Sequence, residues 1–397
     1  MTGAIDPDDP HSSDDPHSDD LRGVNPDVIR EAIRTRDPLP GTRGFAGLLS
    51  AVPTDAGRGS ALIRDVLGRQ PIFVDGATDA EPSNGLPEWS FDRNDLSNPT
   101  PLPSGTILTD DGTERRWSLP TPEPATAAAA QEAVDEALRN VLVDLASEFG
   151  DDVAVAFSGG VDSGVVAAAL PDAPCYVAGF EGCHDVAAAR EAAAAMEREL
   201  HVVGITHDDL RRIIPEVVAA TGRRNPMDLN IAVPLYLTAE AAAADGIDRL
   251  AVGQGADELF GGYSKVVEPA SDHRVEADTV RGARDETVGT LPGQLERDVL
   301  ALRAAGVEPV APLLDDRLVD AALRLPGELL ATPEERKVAL RRAAAEYVPE
   351  RVAAADKKAV QYGTYVSREI DRLARQNGFK RRMDDHVGRY VASLLET

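Results

Sequence analysis

The sequence predicts an α/β protein: a doubly wound parallel sheet with a helical C-terminal part, preceded by a small, mostly β N-terminal domain. Three observations predict it. Short apolar runs alternate with helical patterns from Asp152 to Gln254, and a Gly- and Ser-containing segment, Ser158 to Ser163, stands where the first of those runs ends and a helix begins. Between Gly44 and about Pro120 the chain instead breaks into brief apolar segments divided by Pro, Gly and Asn. Strands separated by helices imply βαβ units and a parallel sheet, whereas closely spaced short strands with turn residues imply antiparallel structure.

Taken in order, residues 1–40 are rich in Asp, Pro, Ser and His, with the near-repeat DDPHSSDDPHSDD. So polar a tract buries too little apolar surface to offset its ordering entropy, which predicts a disordered acidic tail. His11 and His17 offer metal ligands there, although solvated tail residues are the plainer reading. Residues 41–121 hold the runs GFAGLLSAV, QPIFVDG and GTILTDDG and form the predicted β domain. Residues 122–397 form the predicted α/β domain, entered through an Ala- and Glu-rich helix from Ala125 to Glu148. Strands are expected at VAVAF (153–157), CYVAGF (175–180), HVVGI (201–205) and RLAVGQ (249–254), with helices at about 162–170, 185–200, 208–221 and 232–244. From about 277 onward the chain reads as mainly helical.

With 397 residues, 43% of them hydrophobic, the chain has room for about two or three domains. The balance of 41 basic against 68 acidic residues gives a net charge of −27, and only five of the basic residues are lysines. Such a charge repels nucleic acid and anionic membranes, so neither is an expected partner. Dense carboxylate with Arg in place of Lys suits solubility in concentrated salt, where charges are screened within about 3 Å at 1 M. No run approaches the roughly 18 apolar residues of a membrane span, and MTGAIDPDDP has neither a basic nor an apolar leader region. A cytoplasmic protein is expected. Cys175 and Cys183 supply no CxxC pair and no disulfide framework, which fits a reducing compartment and two small buried hydrophobes.

The segment Ser158-Gly159-Gly160-Val161-Asp162-Ser163 carries the chemistry. Its glycines let backbone approach phosphates, Ser158 and Ser163 offer hydroxyls, and the helix that Val161 opens supplies unpaired N–H groups and a positive dipole end. It lacks the Gly-Lys-Ser/Thr of the kinase-type phosphate loop and the GxGxxG of dinucleotide folds, which disfavours β/γ cleavage and NAD binding. Asp162 beside phosphate calls for an intervening cation, hence Mg²⁺; the plainer alternative is a helix-start acid. A second constellation, Gly253-Gln254-Gly255-Ala256-Asp257-Glu258-Leu259-Phe260-Gly261-Gly262-Tyr263, follows another predicted strand of the same sheet. Four glycines and two adjacent acids suggest backbone folded tightly around something, with Asp257 a second Mg²⁺ ligand facing Asp162. A glycine-rich turn with solvated acids is the plainer alternative.

These motifs resemble the asparagine synthetase family, more closely its synthetase domain, an ATP-pyrophosphatase of the PP-loop type shared with β-lactam-forming relatives. The resemblance rests on SGGVDS (158–163), GADELFGGY (255–263), VEPVAPLLDDRLVDAALRLP (307–326), RKVALRRAAAEYVPERV (336–352) and DKKAVQYG (356–363), spanning roughly residues 125 to 365. It implies ATP and Mg²⁺ as cofactors and a ligase that activates the aspartate side-chain carboxylate as an acyl-adenylate, releases pyrophosphate, and amidates it with ammonia as AMP leaves. By motif, Ser158 to Ser163 resemble the phosphate loop, Asp162 and Asp257 the magnesium ligands, Ala178 and Gly253 the largely backbone nucleotide contacts, and Lys357 the catalytic lysine, with Lys358 competing. An ammonium there would stabilise charge developing on the phosphates.

Three departures qualify what is carried over. Glutamine-hydrolysing members begin with a nucleophilic Cys after Met1, and residue 2 here is Thr, although GFAGLLS (44–50), RDVLGRQPIF (64–73), LPSGTIL (102–108) and RRWSLP (115–120) resemble pieces of the family's glutaminase domain. A shortened, inactive glutaminase-like region is expected, with free ammonia or a separate glutaminase as nitrogen source. Gln254 stands where the family reads Glu, and Gln cannot accept a proton from an amine, so Glu258 becomes an alternative acid–base group. Val310 replaces an Arg of the family, and Glu296 and Asp298 are weak candidates for a further acidic site residue. Small molecules are the expected partners, and the oligomeric state is left open. Other readings are an adenylating enzyme that makes a different amide or lactam, and an ATP-binding protein without turnover. Thiolation of tRNA fits less well, since there is no CxxC and no basic face.

Overall fold

The computed structural model describes residues 19–54, 57–76, 85–149, 152–355 and 363–396. Its N-terminal part contains strands β1 (Asp20–Arg22), β2 (Ala46–Thr54), β3 (Gly57–Arg64), β4 (Phe73–Asp75), β5 (Trp89–Ser90), β6 (Pro99–Pro101), β7 (Thr106–Thr109) and β8 (Gly112–Arg115). They form a five-stranded sheet in the order β1-β2-β3-β7-β8 and a three-stranded sheet in the order β5-β4-β6, both antiparallel.

Residues 19–40 are ordered, where composition predicted a tail. Asp20–Arg22 pairs with β2, and Pro26–Thr35 is a helix whose N-cap Asn25 accepts a hydrogen bond from the Asp27 N–H, with Pro26 at its first position. Ile29, Ala32 and Ile33, at i, i+3 and i+4, bury one face in the main core, and the Trp117 indole donates to the Ala32 carbonyl at 3.4 Å. Asp19 accepts from the Ser50 N–H at 2.7 Å and from Arg30 at 2.7 Å, so part of this acidity is structural. Average polarity over the stretch hid three apolar residues at helical spacing, which anchor it together with the strand pairing and the Asp19 bonds. His11 and His17 lie outside the described residues.

The α/β part is built on β9 (Ala154–Ala156), β10 (Cys175–Gly179), β11 (Leu200–Gly204), β12 (Arg249–Ala251) and β13 (Glu308–Val310), in the order β11-β10-β9-β12-β13 with every neighbouring pair parallel. Both faces are covered, as strand periodicity requires. Val153, Val155 and Phe157 point into a core that includes the helices Ala127–Phe149, Val161–Ala169 and His184–Ala195, while Ala154 points into one made by His207–Thr221, Pro226–Ala244, Val366–Gln376 and His386–Leu394.

Element limits differ from expectation in three places. The helix expected to run to residue 200 ends at Ala195, because Leu200 already belongs to β11, paired with Cys175 of β10. The helix expected from 232 begins at Pro226, where Asn225 caps it by accepting from the Asp228 N–H. In the C-terminal part, read as mainly helical, β13 adds a fifth strand at the sheet edge, where Pro309 leaves no central ladder position without a donor. Among the described residues no helix is long and apolar enough to cross a membrane.

Candidate active site

In this sheet β9 starts the winding, β10 and β11 extend it on one side, and β12 and β13 extend it on the other. The direction of winding therefore switches between β9 and β12, and a crevice opens beyond their carboxyl ends. The two predicted constellations leave the sheet at those ends. Sequence separation of about a hundred residues is closed by the parallel pairing of Leu250 with Ala154 and Ala251 with Val155.

After β9 the chain turns at Gly159, with φ of +78°, and a side chain there would sit 2.6 Å from the Ala188 carbonyl oxygen. Gly160 caps the helix Val161–Ala169, without a side-chain bond to its first turn. The Ser158 N–H donates to the Ser163 hydroxyl at 3.1 Å, the two hydroxyls lie 3.2 Å apart, and Ser163 donates to the Gly160 carbonyl at 3.3 Å. The loop is thus tied internally, with Val161 and Ser163 buried and the Asp162 side chain partly exposed. Its N–H groups and dipole suit an anion.

After β12, Gly255 (φ +87°) opens and Gly261 (φ +73°) closes the short helix Ala256–Phe260, which carries Asp257 and Glu258 in its first turn. Glycine is needed at two neighbouring positions for space. A Cβ on Gly253 would lie 2.9 Å from the Asp162 Cβ, and one on Gly262 would lie 1.9 Å from Asp257 Oδ1 and 2.4 Å from Lys337 Cε. Those clearances let a lysine reach two acids. Lys337 Nζ lies 2.6 Å from Asp162 Oδ2 and 2.7 Å from Asp257 Oδ1, with the lysine side chain 9% exposed and that of Asp257 47% exposed.

Lys337 itself is held in left-handed backbone (φ 58°, ψ 38°) before the helix Val338–Ala344, a conformation unfavourable for a side chain with a Cβ. Its flanks explain how it persists: Arg336 donates to the Gly262 carbonyl at 2.8 Å, and Arg341 donates to the Arg336 carbonyl at 2.8 Å. Burial opposes the ammonium charge, but Asp162 and Asp257 outweigh it and hold the group protonated well above the usual lysine range. Sequence reasoning missed Lys337. A signal existed, because in a chain with five lysines that otherwise prefers arginine, Lys337 falls inside the quoted segment RKVALRR.

The remaining candidates sort by place. Gln254 donates through Nε2 to Asp298 Oδ2 at 2.7 Å, and its Oε1 is buried without a hydrogen-bond partner among the described residues. Asp298, raised by burial against the pull of Arg297, belongs to a buried chain of charges: Arg297 bonds Asp298 at 2.7 Å and Asp228 at 2.8 Å, and Arg223 links Asp228 and Glu296, each at 3.3 Å. Asp298 is therefore directly behind Gln254, whereas Glu296 sits further along the chain beside Arg64 of β3, 3.8 Å away. Glu258 is buried and accepts from the Tyr263 hydroxyl at 2.5 Å; burial first, then the charge of Asp257, pushes its carboxyl up to about 7. Ala178 is at the carboxyl end of β10 with its methyl in the core, leaving backbone as its outward group. Val310 ends β13 and is packed in the core, its carbonyl accepting from the Val252 N–H at 2.8 Å. Lys357 and Lys358 lie outside the described residues. Cys175 and Cys183 are both buried free thiols, raised by that burial.

Two carboxylates from different strand ends, close enough for one ammonium to touch both, form a donor set of the kind a divalent oxygen-seeking cation takes. Comparison with known proteins agrees with this anatomy. The family model of asparagine synthase matches residues 133–291 and 284–392. The chain is 29% identical over 295 residues to a protein of Methanocaldococcus jannaschii named putative asparagine synthetase (glutamine-hydrolyzing) 1, a match covering 65% of this chain and 54% of that one. It is 26% identical over 239 residues to asparagine synthetase B (glutamine-hydrolyzing) of Escherichia coli, covering 54% and 42%. The chain thus spans about half the length of these curated relatives. A solved U34-tRNA thiolase from Methanococcus maripaludis covers 68% of this chain and 80% of its own at 15% identity, with a TM-score of 0.27, too loose a superposition to bear on function. With the family model covering well over half of the chain and both of its glycine-rich constellations, the protein belongs to the asparagine synthase family.

Proposed function

We propose that this protein is an ATP-dependent, AMP-forming carbon–nitrogen ligase that activates the side-chain carboxylate of aspartate and passes it to ammonia. The observation that carries the reading is the convergence of Asp162, Asp257 and Lys337 beside the Ser158–Ser163 loop at the switch point of the sheet. The loop's N–H groups and hydroxyls would bind the polyphosphate of ATP, with Gly253 and the end of β10 at Ala178 offering backbone to the nucleoside. Asp162 and Asp257 would hold Mg²⁺, which when bound neutralises the phosphate charge. Lys337, and Lys357 by family resemblance, would supply ammonium to the α-phosphate and the departing pyrophosphate. The carboxylate oxygen attacks the α-phosphorus, pyrophosphate leaves, and the nitrogen nucleophile then displaces AMP from the acyl carbon.

The nitrogen source proposed is free ammonia or ammonia made by a separate glutaminase. The antiparallel sheets between Asp20 and Arg115 would then be a glutaminase-like region without hydrolytic activity of its own, supported by the motif pieces within them. A second reading, another carboxylate or amine acceptor with the same adenylation, is favoured by Gln254 in place of Glu and by Val310, a packed strand residue in place of Arg.

Pyrophosphate release measured with ATP, Mg²⁺, aspartate and ammonia tests the proposal. Release above an Asp162→Ala control, with asparagine formed in equal amount, is the expected result. Exchange of pyrophosphate into ATP with a different carboxylate but none with aspartate would select the second reading.

A further inference from the structure

The carboxylate pair that suits a metal is already bridged by a cation of the protein's own. Lys337 Nζ contacts Asp162 Oδ2 at 2.6 Å and Asp257 Oδ1 at 2.7 Å, charge-assisted hydrogen-bond distances made from a buried lysine to a partly exposed and a half-exposed acid. A magnesium ion needs oxygen ligands at about 2.0–2.1 Å in near-octahedral array. An ammonium on those two oxygens takes up lone pairs that a metal would use, and two cations a few ångströms apart in a partly buried site repel each other. The protein has nevertheless built this contact at some expense. It holds Lys337 in left-handed backbone, and it keeps Gly262 free of a side chain that would collide with both Lys337 Cε and Asp257 Oδ1.

We propose that Lys337 and a divalent cation compete for the Asp162–Asp257 pair, so that metal entry displaces the ammonium. Resting on the adenylating reading of this site, the displaced group moves to the phosphate oxygens. The flexible stem of lysine permits the move, and a point charge with three donors serves either anion. Lys337 thus keeps two acids together until metal and nucleotide arrive, and the exchange couples metal binding to nucleotide binding: metal alone meets a competitor, whereas metal with polyphosphate gives the competitor a new partner. No bond is made or broken in this step; only the partners of one ammonium and two carboxylates change.

The test is a titration of the full chain with Mn²⁺, free metal being read by electron paramagnetic resonance, with and without α,β-methylene-ATP. Lys337→Met should bind Mn²⁺ alone about tenfold or more tighter than the unaltered protein, and the advantage should vanish or reverse once the nucleotide analogue is present. Equal or weaker binding of Mn²⁺ alone by Lys337→Met overturns the proposal. Should that variant fail to fold, acylation of Lys337 in the unaltered protein, read by peptide mass, serves instead. The rate is expected to rise with saturating Mn²⁺ alone and to fall again with Mn²⁺ and the analogue; a rate indifferent to Mn²⁺ overturns the proposal. Neither readout uses a carboxylate substrate, so failure of pyrophosphate exchange with intact metal competition counts against the proposed reaction and not against this inference.

Discussion

At the residue scale, small clearances set what Asp162, Asp257 and Lys337 can do together. Gly262 makes this concrete, because a Cβ there would lie 1.9 Å from Asp257 Oδ1 and 2.4 Å from Lys337 Cε. Gly262 does not adopt a positive φ, so the requirement is one of space. Gly262→Ala is therefore expected to displace Asp257 and Lys337 and to lower the rate of pyrophosphate release by about 100-fold, since a misplacement of about 1 Å can have that effect. The measurement is steady-state pyrophosphate release with the variant's thermal unfolding recorded alongside, and a rate within a few-fold of the parent would count against the assigned geometry. Much of the candidate site was legible in the chain: SGGVDS and GADELFGGY mark themselves as candidates for phosphate and cation chemistry through residue type and through the strand-to-helix context of each. Lys337 was not, for a physical reason. The loop acids carry their meaning locally, in the glycines beside them, whereas a lysine acquires its meaning only from the carboxylates it reaches, 175 residues earlier in the case of Asp162.

At the scale of elements, the two C-terminal helices show how charge fastens one helix to another. Asp371 on Val366–Gln376 bonds Arg375 at 3.0 Å, Arg381 at 2.7 Å and His386 at 2.8 Å, the last two from beyond its own helix. Its carboxyl is held well below the usual range, chiefly by the Arg381 hydrogen bond and then by His386, with burial opposing. A carboxylate whose folded value is depressed contributes stability fully present above the unfolded value, about 4, and lost as pH falls below it. Acid titration of the unfolding midpoint should accordingly show a loss of stability below about pH 4 that is smaller in Asp371→Asn. Identical acid slopes for parent and variant would refute this. The same helices were expected only as a mainly helical region. Composition marked the region as helical, but its salt bridges join Asp371 to residues on a following turn and helix, whose approach no local pattern specifies.

At the scale of the whole molecule, the excess of 68 acidic over 41 basic residues must be reconciled with a close-packed interior. Several acids are consumed in buried pairs that join the N-terminal sheets to the α/β part: Arg69 bridges Asp65 at 2.9 Å and Asp316 at 2.7 Å, and Asp316 also accepts from the Thr42 N–H at 2.7 Å. One hydrophobic core likewise contains Phe45 and Ile63 from the N-terminal part together with Val134, Val155 and Leu318. Most of the remaining carboxylate is a surface charge that repels itself, and screening relieves that repulsion. Raising potassium chloride from dilute buffer to molar concentration should therefore raise the melting temperature, and secondary structure should be lost in dilute buffer at low temperature. Circular dichroism across the salt series checks both, and a melting temperature independent of salt would remove the case for a high-salt habitat.

What the sequence determined by itself was the class of fold and the residue types that build its strand-end loops. Glycine at a strand exit, acid at a helix start and strands of alternating burial are decided within a few residues of the chain, by backbone sterics and by the period of the elements. The alternation of Val153, Ala154 and Val155 between two cores, and the parallel sheet it belongs to, follow from the same local rules. Tertiary structure alone decided which side chains meet. It brought Lys337 between Asp162 and Asp257, set Asp298 behind Gln254, placed β13 at the sheet edge and ordered the helix Pro26–Thr35 against Trp117. Each of these is a contact between distant parts of the chain, and its free energy depends on distance and burial, quantities that exist only once the chain has packed.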